Sequence, residues 1–163
     1  MEKIVNVAQY IYDEYKKISG KNIDEMKLHK LLYFTQRESL AITGNPLFIE
    51  EFEGWKYGPV SKEVRDCYTE YGMYSDNIEE ISLESAYIAK NIILQYGGFE
   101  SWKLSELSHK ELSWRNARKG ISKGENGNKK LTLDDIKIDS EKIRPYDSIW
   151  DMYYDEFEDA EVN

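Results

Sequence analysis

The chain has 163 residues, with 31 acidic side chains against 22 basic ones, a formal net charge of −9 and a mean hydropathy of −0.70. That length suits one domain with a substantial core, and 13% aromatic content argues against wholesale disorder. The acidity disfavours nucleic acid as a partner, a single cysteine and two histidines leave no disulfide framework and no soft-metal site, and no apolar run approaches the eighteen residues of a membrane span.

In chain order, Ile4, Val7, Ala8, Ile11, Tyr15 and Ile18 recur at helical spacing until Gly20 stops them. No signal peptide precedes them, so a cytoplasmic protein is expected. Asp24 reads as the cap of a second helix with Leu28, Leu31, Leu32 and Thr35 on one face, ending near Thr43 at Gly44. Asn45-Pro46 is a turn signal, and Leu47 to Phe52 is too short and broken for a helix, so an extended segment is expected there. Pro59 reads as the first residue of a third helix carrying Val60, Val64, Cys67, Tyr68 and Tyr71, closed by Gly72. Ser82 caps a fourth helix with Ala86, Ala89, Ile92, Ile93 and Tyr96, and Gly97-Gly98 ends it. Ser101 is expected to cap a short helix holding Leu104 and Leu107, before a further turn with Trp114, Ala117 and Arg118. Residues 120–130 are rich in Gly, Asn, Lys and Ser and read as a loop. Thr132 with Asp134 and Asp135 starts another helix, Pro145 interrupts, and Ile149, Met152, Tyr153 and Phe157 suggest a last amphipathic turn. The expected fold is a mainly α, single compact helical domain over 1–150, with at most a short β element around 47–57, and an acidic tail over 151–163.

Enzyme motifs fail in turn. There is no G-x-S-x-G, Walker A, H-E-x-x-H or EF-hand pattern, and the glycines at 120, 124 and 127 lack a dinucleotide spacing. His109 and Glu111 form an H-x-E, but the cysteine half of a deaminase zinc site is missing. Cys67 with His29 or His109 could in principle make a nucleophile and base. Its place between Val64 and Tyr68 instead suggests a small buried hydrophobe. No catalytic residue, cofactor or metal follows from these residues.

Two clusters look different. Glu53-Gly-Trp55-Lys56-Tyr57-Gly58-Pro59-Val60 packs two large aromatics, a lysine and a Gly-Pro corner together. Trp55 either plugs the core or is offered to a partner, since Trp and Tyr dominate binding hot spots. His109, Trp114, Arg115 and Arg118 form the second cluster, in which Trp114 and Arg118 are helical neighbours suited to a cation–π contact within the fold or at an interface. Charge is uneven as well. Residues 115–130 carry +5, and six acids from Asp151 to Glu161 place −6 at the end.

The blocks Met26-Lys-Leu-His-Lys-Leu-Leu-Tyr33-Phe-Thr-Gln36, Gly44-Asn-Pro-Leu-Phe48, Glu53-Gly-Trp55-Lys-Tyr-Gly-Pro-Val60 and Leu104-Ser-Glu-Leu-Ser-His109-Lys-Glu111, followed by Trp114 and Ala117-Arg118, resemble the Panacea or SocA-like antitoxin domain over roughly residues 3–120. His29 stands where the family often has Gln, and Ser113 where Pro commonly precedes the Trp; Ser113 is expected to cap the Trp114 helix in its place. The resemblance implies a compact helical module of toxin–antitoxin operons, frequent on phages and other mobile elements. It implies neutralisation of a nearby-encoded protein toxin by direct binding, or delivery of that toxin to a ClpXP-type protease. An enzyme with an unrecognised site and a DNA-binding autoregulator are the competing classes. The toxin-facing surface is expected to combine Trp55, Lys56, Tyr57, Gly58 and Pro59 with His109, Trp114 and Arg118. In that picture Gly58 and Pro59 set the turn, while Lys56, Tyr57 and Arg118 reach solvent.

Overall fold

The first helix, α1 (Ile4–Ser19), buries Ile4, Val7, Ala8 and Ile11 completely and stops at Gly20 in the left-handed conformation, φ 76°. The second, α2 (Glu25–Thr43), starts where the Asp24 carboxylate accepts the Lys27 N–H at 2.8 Å and stops at Gly44, φ 77°. These elements belong to a computed structural model that describes residues 1–143. Pro145, the expected turn at Ile149–Phe157 and the acidic tail lie outside the described residues.

After α2 the chain forms a hairpin, β1 (Glu53–Trp55) and β2 (Gly58–Val60), and then α3 (Lys62–Cys67). A second, smaller hairpin pairs β3 (Tyr68–Thr69) with β4 (Gly72–Met73). The helices α4 (Leu83–Tyr96), α5 (Ser101–Ser108), α6 (Leu112–Ala117) and α7 (Leu133–Glu141) complete the described chain. Ser82 and Thr132 cap α4 and α7 through their hydroxyls, each accepting the N–H three residues on. The mainly α fold expected from the periodicity is the one present, with seven helices among the described residues.

The core is arranged around α2. Every residue from Lys27 to Leu40 is buried, and α1, α4, α5, α7 and β2 all pack on this helix. Its polar side chains are therefore covered along with its leucines, and burial without partners would be costly. Lys27 donates to the Gly97 carbonyl at 2.9 Å, and Gln36 donates to the Phe48 carbonyl and accepts from Leu47 N, both at 2.7 Å. Arg37 pairs with Glu111 at 2.7 Å, with both side chains buried. The Tyr33 hydroxyl lies 3.2 Å from Glu111 Oε2, 2.9 Å from Ser113 Oγ and 3.0 Å from Asp139 Oδ2.

Four local expectations are corrected. Gly58-Pro59 does not open α3; it is strand, with Gly54 opposite Pro59 and Trp55 opposite Gly58. The helix starts after Ser61, whose hydroxyl accepts the Val64 N–H at 3.2 Å. The same helix ends at Cys67 rather than Gly72, because Tyr68 turns extended and donates its hydroxyl to the Ile23 carbonyl at 2.8 Å. This leaves Cys67 half-buried and Tyr71 exposed. Ser101 does not cap α5; its hydroxyl donates to Asp24, joining the starts of α5 and α2. Ser113 is no cap either, since Asp139 from α7 takes the first amides of α6, Leu112 N at 2.8 Å and Ser113 N at 3.0 Å.

Asp139 thus caps one helix from another and satisfies the buried Tyr33 hydroxyl. Asp139→Ala is expected to lower stability by about 3 kcal/mol, because it strands two amides at the start of α6 and removes one of the Tyr33 hydroxyl's three partners. Asp139→Asn, which keeps one acceptor oxygen, is expected to cost less. Urea denaturation of both variants measures the difference.

Candidate partner-binding site

The register of β1 and β2 leaves Lys56 and Tyr57 as a two-residue turn. Gly58 follows at φ +122°, and a Cβ on it would lie 2.5 Å from both Lys30 Cε and Ser108 Oγ. Glycine is required here for conformation and for space. Pro59 contributes its carbonyl, which accepts the Lys30 ammonium at 3.3 Å.

The other cluster closes on the hairpin from α5 and α6. Trp114 Nε1 donates to the Trp55 carbonyl at 2.8 Å. His109 stacks on the Trp114 ring with centroids 4.0 Å apart and planes 11° from parallel, and its ring hydrogen-bonds the Lys56 carbonyl. Arg118 donates to the carbonyls of Gly54 (3.2 Å), Ser122 (3.0 Å) and Glu125 (2.6 Å), fastening the 119–125 loop to β1. The segment after that loop pairs with β1 too: Gly54 N donates to Lys129 O and Leu131 N to Phe52 O, both at 2.8 Å.

The eight sequence-selected residues therefore come together at the hairpin, but Trp55 lines a separate cavity with Glu53 and Lys62, and not all are accessible. Tyr57 is 54% exposed; Lys56, Trp55 and Trp114 are half-buried; Gly58 and Pro59 are buried. Arg118, expected to reach solvent, is 7% exposed. The correction has a simple cause: three backbone carbonyls left by a tight turn and a loop need a donor, and the guanidinium fork supplies several in one plane. Trp55 also donates its indole N–H to Glu53 at 3.0 Å and lies under the Arg65 guanidinium at 5.0 Å.

Between the hairpin tip and the loop is a cavity of about 560 Å³ lined by Lys56, Tyr57, His109, Trp114, Lys123 and Gly124. Sequence reasoning missed two things here. Lys123 and Gly124 were legible only as part of a basic loop, because nothing local says that Arg118 folds this loop back over the hairpin. Lys30 carried no signal at all, since a lysine on a helix normally reaches water. It is 1% exposed, and burial pushes its ammonium down to about 7. Burial also holds the His109 imidazole below its ordinary value, with the positive charges of Lys30, Arg118 and Lys123 acting the same way. His109 Nε2 is buried without a hydrogen-bond partner among the described residues.

Groups that could do chemistry are engaged elsewhere. His29 is buried, accepts Ser61 N at 3.2 Å and meets Glu25 at 3.1 Å, an arrangement that fixes its tautomer with the proton toward Glu25. Neither histidine pairs with Cys67 among the described residues. No group of His, Cys, Asp and Glu among those residues could hold a metal ion, and no described helix is long and apolar enough to cross a membrane. The arrangement offers aromatic area, cations and one open cavity.

The family model described as Antitoxin SocA-like, Panacea domain, matches residues 28–115, more than half of the chain. The chain belongs to that family. The match runs from the first leucine of the α2 stripe to α6, so it contains the hairpin, His109 and Trp114. Antitoxin SocA of Caulobacter vibrioides (strain NA1000 / CB15N) is 42% identical over 50 residues, 31% of this chain and 27% of the relative's length. The aligned part therefore spans well under two thirds of that relative. No solved structure matches the chain.

The buried amine under the hairpin has a pH signature. Lys30 loses its proton near pH 7 in the folded chain and near its ordinary 10.5 in the unfolded one. Between those values the unfolded state binds more protons, so this group makes stability rise with pH. Relative to Lys30→Met, the wild type is expected to gain on the order of 1 kcal/mol per pH unit between pH 7.5 and 9.5. Urea titrations of both proteins across that range measure it, and a constant difference would contradict a neutralised Lys30.

Proposed function

We propose that this chain is an antitoxin that acts in the cytoplasm by binding a protein toxin directly, through the hairpin tip and the His109–Trp114 face. Family membership supports the antitoxin role. The observation that carries the choice of surface is the convergence of Tyr57, His109 and Trp114, distant in sequence, around a single cavity, with the Trp55 carbonyl holding the Trp114 indole. Rigid aromatics held by a second layer of hydrogen bonds bind at low entropic cost and make good anchors. A non-enzymatic reading is supported by the engagement of His29 in the fold and by the separation of Cys67 from both histidines.

The test is co-expression with each reading frame that flanks this gene, taking one that inhibits growth alone as the toxin and reading rescue, toxin affinity and toxin abundance. Tyr57→Ala is expected to melt like the wild type and to lose about 2 kcal/mol or more of toxin binding, as a central anchor does. Lys56→Ala is expected to fold normally and bind more weakly. Arg118→Ala is expected to lower the melting temperature instead, because three carbonyls lose their donor. If Lys56→Ala and Tyr57→Ala both fold, bind and rescue normally, this surface is not the interface. Steady toxin abundance during rescue means inhibition. A fall that disappears in cells lacking a ClpXP-type protease means directed degradation.

A further inference from the structure

Among the described residues, no acidic side chain lines the cavity at the hairpin tip. Lys56 and Lys123 form part of its wall, and the charges of Lys30 and Arg118 are felt at His109. None of these four cations makes a salt bridge among the described residues. Lys30 has a carbonyl, and Arg118 has three. The nearest acid in the hairpin, Glu53, is taken by the Trp55 indole. With Lys56 and Lys123 in its wall, Arg118 behind it and no carboxylate among its described lining, the cavity is an electropositive site suited to an incoming acid.

His109 supplies the second observation. Its Nε2 is a buried polar atom with no partner among the described residues. Such atoms are rare in folded proteins and call for an explanation. A cationic donor from a partner would be repelled by Lys30 of α2, Lys56 of the hairpin, Arg118 of α6 and Lys123 of the loop. A carboxylate is attracted by Lys56, Arg118 and Lys123, and by Lys30 in its protonated fraction, and Nε2, taking a proton from solvent, then donates to it.

We infer that this cavity binds an acidic side chain of the partner protein, an Asp or Glu set beside an apolar group that packs on Tyr57 and Trp114. The identity of that partner as the toxin rests on the function proposed above. A peptide carboxylate fits better than a nucleic-acid strand. It feels the local cations, whereas a polyanion also meets the chain's net charge of −9.

The experiment selects peptides on the full-length protein from a displayed library of random twelve-residue sequences. Enrichment of Asp or Glu beside an aromatic or aliphatic residue is expected. The enriched peptide, labelled with fluorescein, should bind Lys123→Glu at least tenfold more weakly, with no change in melting temperature because position 123 is exposed. Replacing its acids by their amides should weaken it equally. On binding, the His109 imidazole titration followed by NMR should move upward. Enriched peptides without acids, no enrichment, indifference to Lys123→Glu, or a twelve-residue oligothymidine competing at the same residues would each overturn the inference. Toxin rescue by Lys123→Glu is read in parallel. Lost peptide binding with full rescue removes the cavity from the toxin contact and leaves the antitoxin reading intact. Failure of the wild type to rescue overturns that reading, while the peptide result stands by itself.

Discussion

The fold depends on the burial of a helix that is largely polar. From Lys27 to Leu40 nothing on α2 is left to solvent, yet the segment includes two lysines, a histidine, a glutamine and an arginine. A helix with polar groups on every side is stable at the centre of a domain only if each neighbour brings a partner. The neighbours do so, and in doing so they are placed. Gln36 holds the 47–48 segment, Lys27 holds the end of α4, and Tyr33 and Arg37 hold α6 and α7 through Ser113, Glu111 and Asp139. Leucines on the same helix supply the area; the polar bonds supply the register.

That constraint reaches the surface at the hairpin. Lys30 and His29, one helical step apart, bond the Pro59 carbonyl and the Ser61 amide. The hairpin is thus seated on α2 from below. From the side, Trp114 and Arg118 hold its first strand through the Trp55 and Gly54 carbonyls. A two-residue turn fixed from two directions keeps Lys56 and Tyr57 pre-organised, and pre-organisation lowers the cost of binding. The same packing leaves the cavity beside the turn lined, among the described residues, by cations and aromatics without an acid. The framework and the surface proposed for binding adjoin here: Arg118 and Gly58 are framework, and the cavity above them is lined by Tyr57, Lys56, His109 and Lys123.

Much of this was legible in the sequence because it is local. Gly20, Asp24, Gly44, Ser82 and Thr132 mark helix ends by conformations and hydrogen bonds that involve only their near neighbours. The aromatic block at 55–59 and the His109–Trp114 cluster also stand out by residue type. Boundaries decided by distant contacts did not. Pro59 has the right geometry for a helix start and sits equally well in a strand, and pairing with Glu53–Trp55 settles the matter. Tyr68 and Tyr71 continue a helical stripe on paper, yet the hydroxyl of Tyr68 reaches Ile23, and the chain leaves the helix to follow it.

What the sequence alone determined is the class of the protein: a mainly helical domain with helix ends written in glycine, serine, threonine and aspartate, and a set of residues too poor in metal ligands and catalytic motifs to suggest an enzyme. Only the tertiary structure decided which polar residues face inward. Lys30 and Arg118 look like surface residues because a charged side chain prefers water, and no pattern along the chain can show that a hairpin and a loop will close over them. Burial is set by elements far apart in sequence, so the transfer of Arg118 from partner contact to framework, and the addition of Lys123 to the site, became visible only once those elements were packed together.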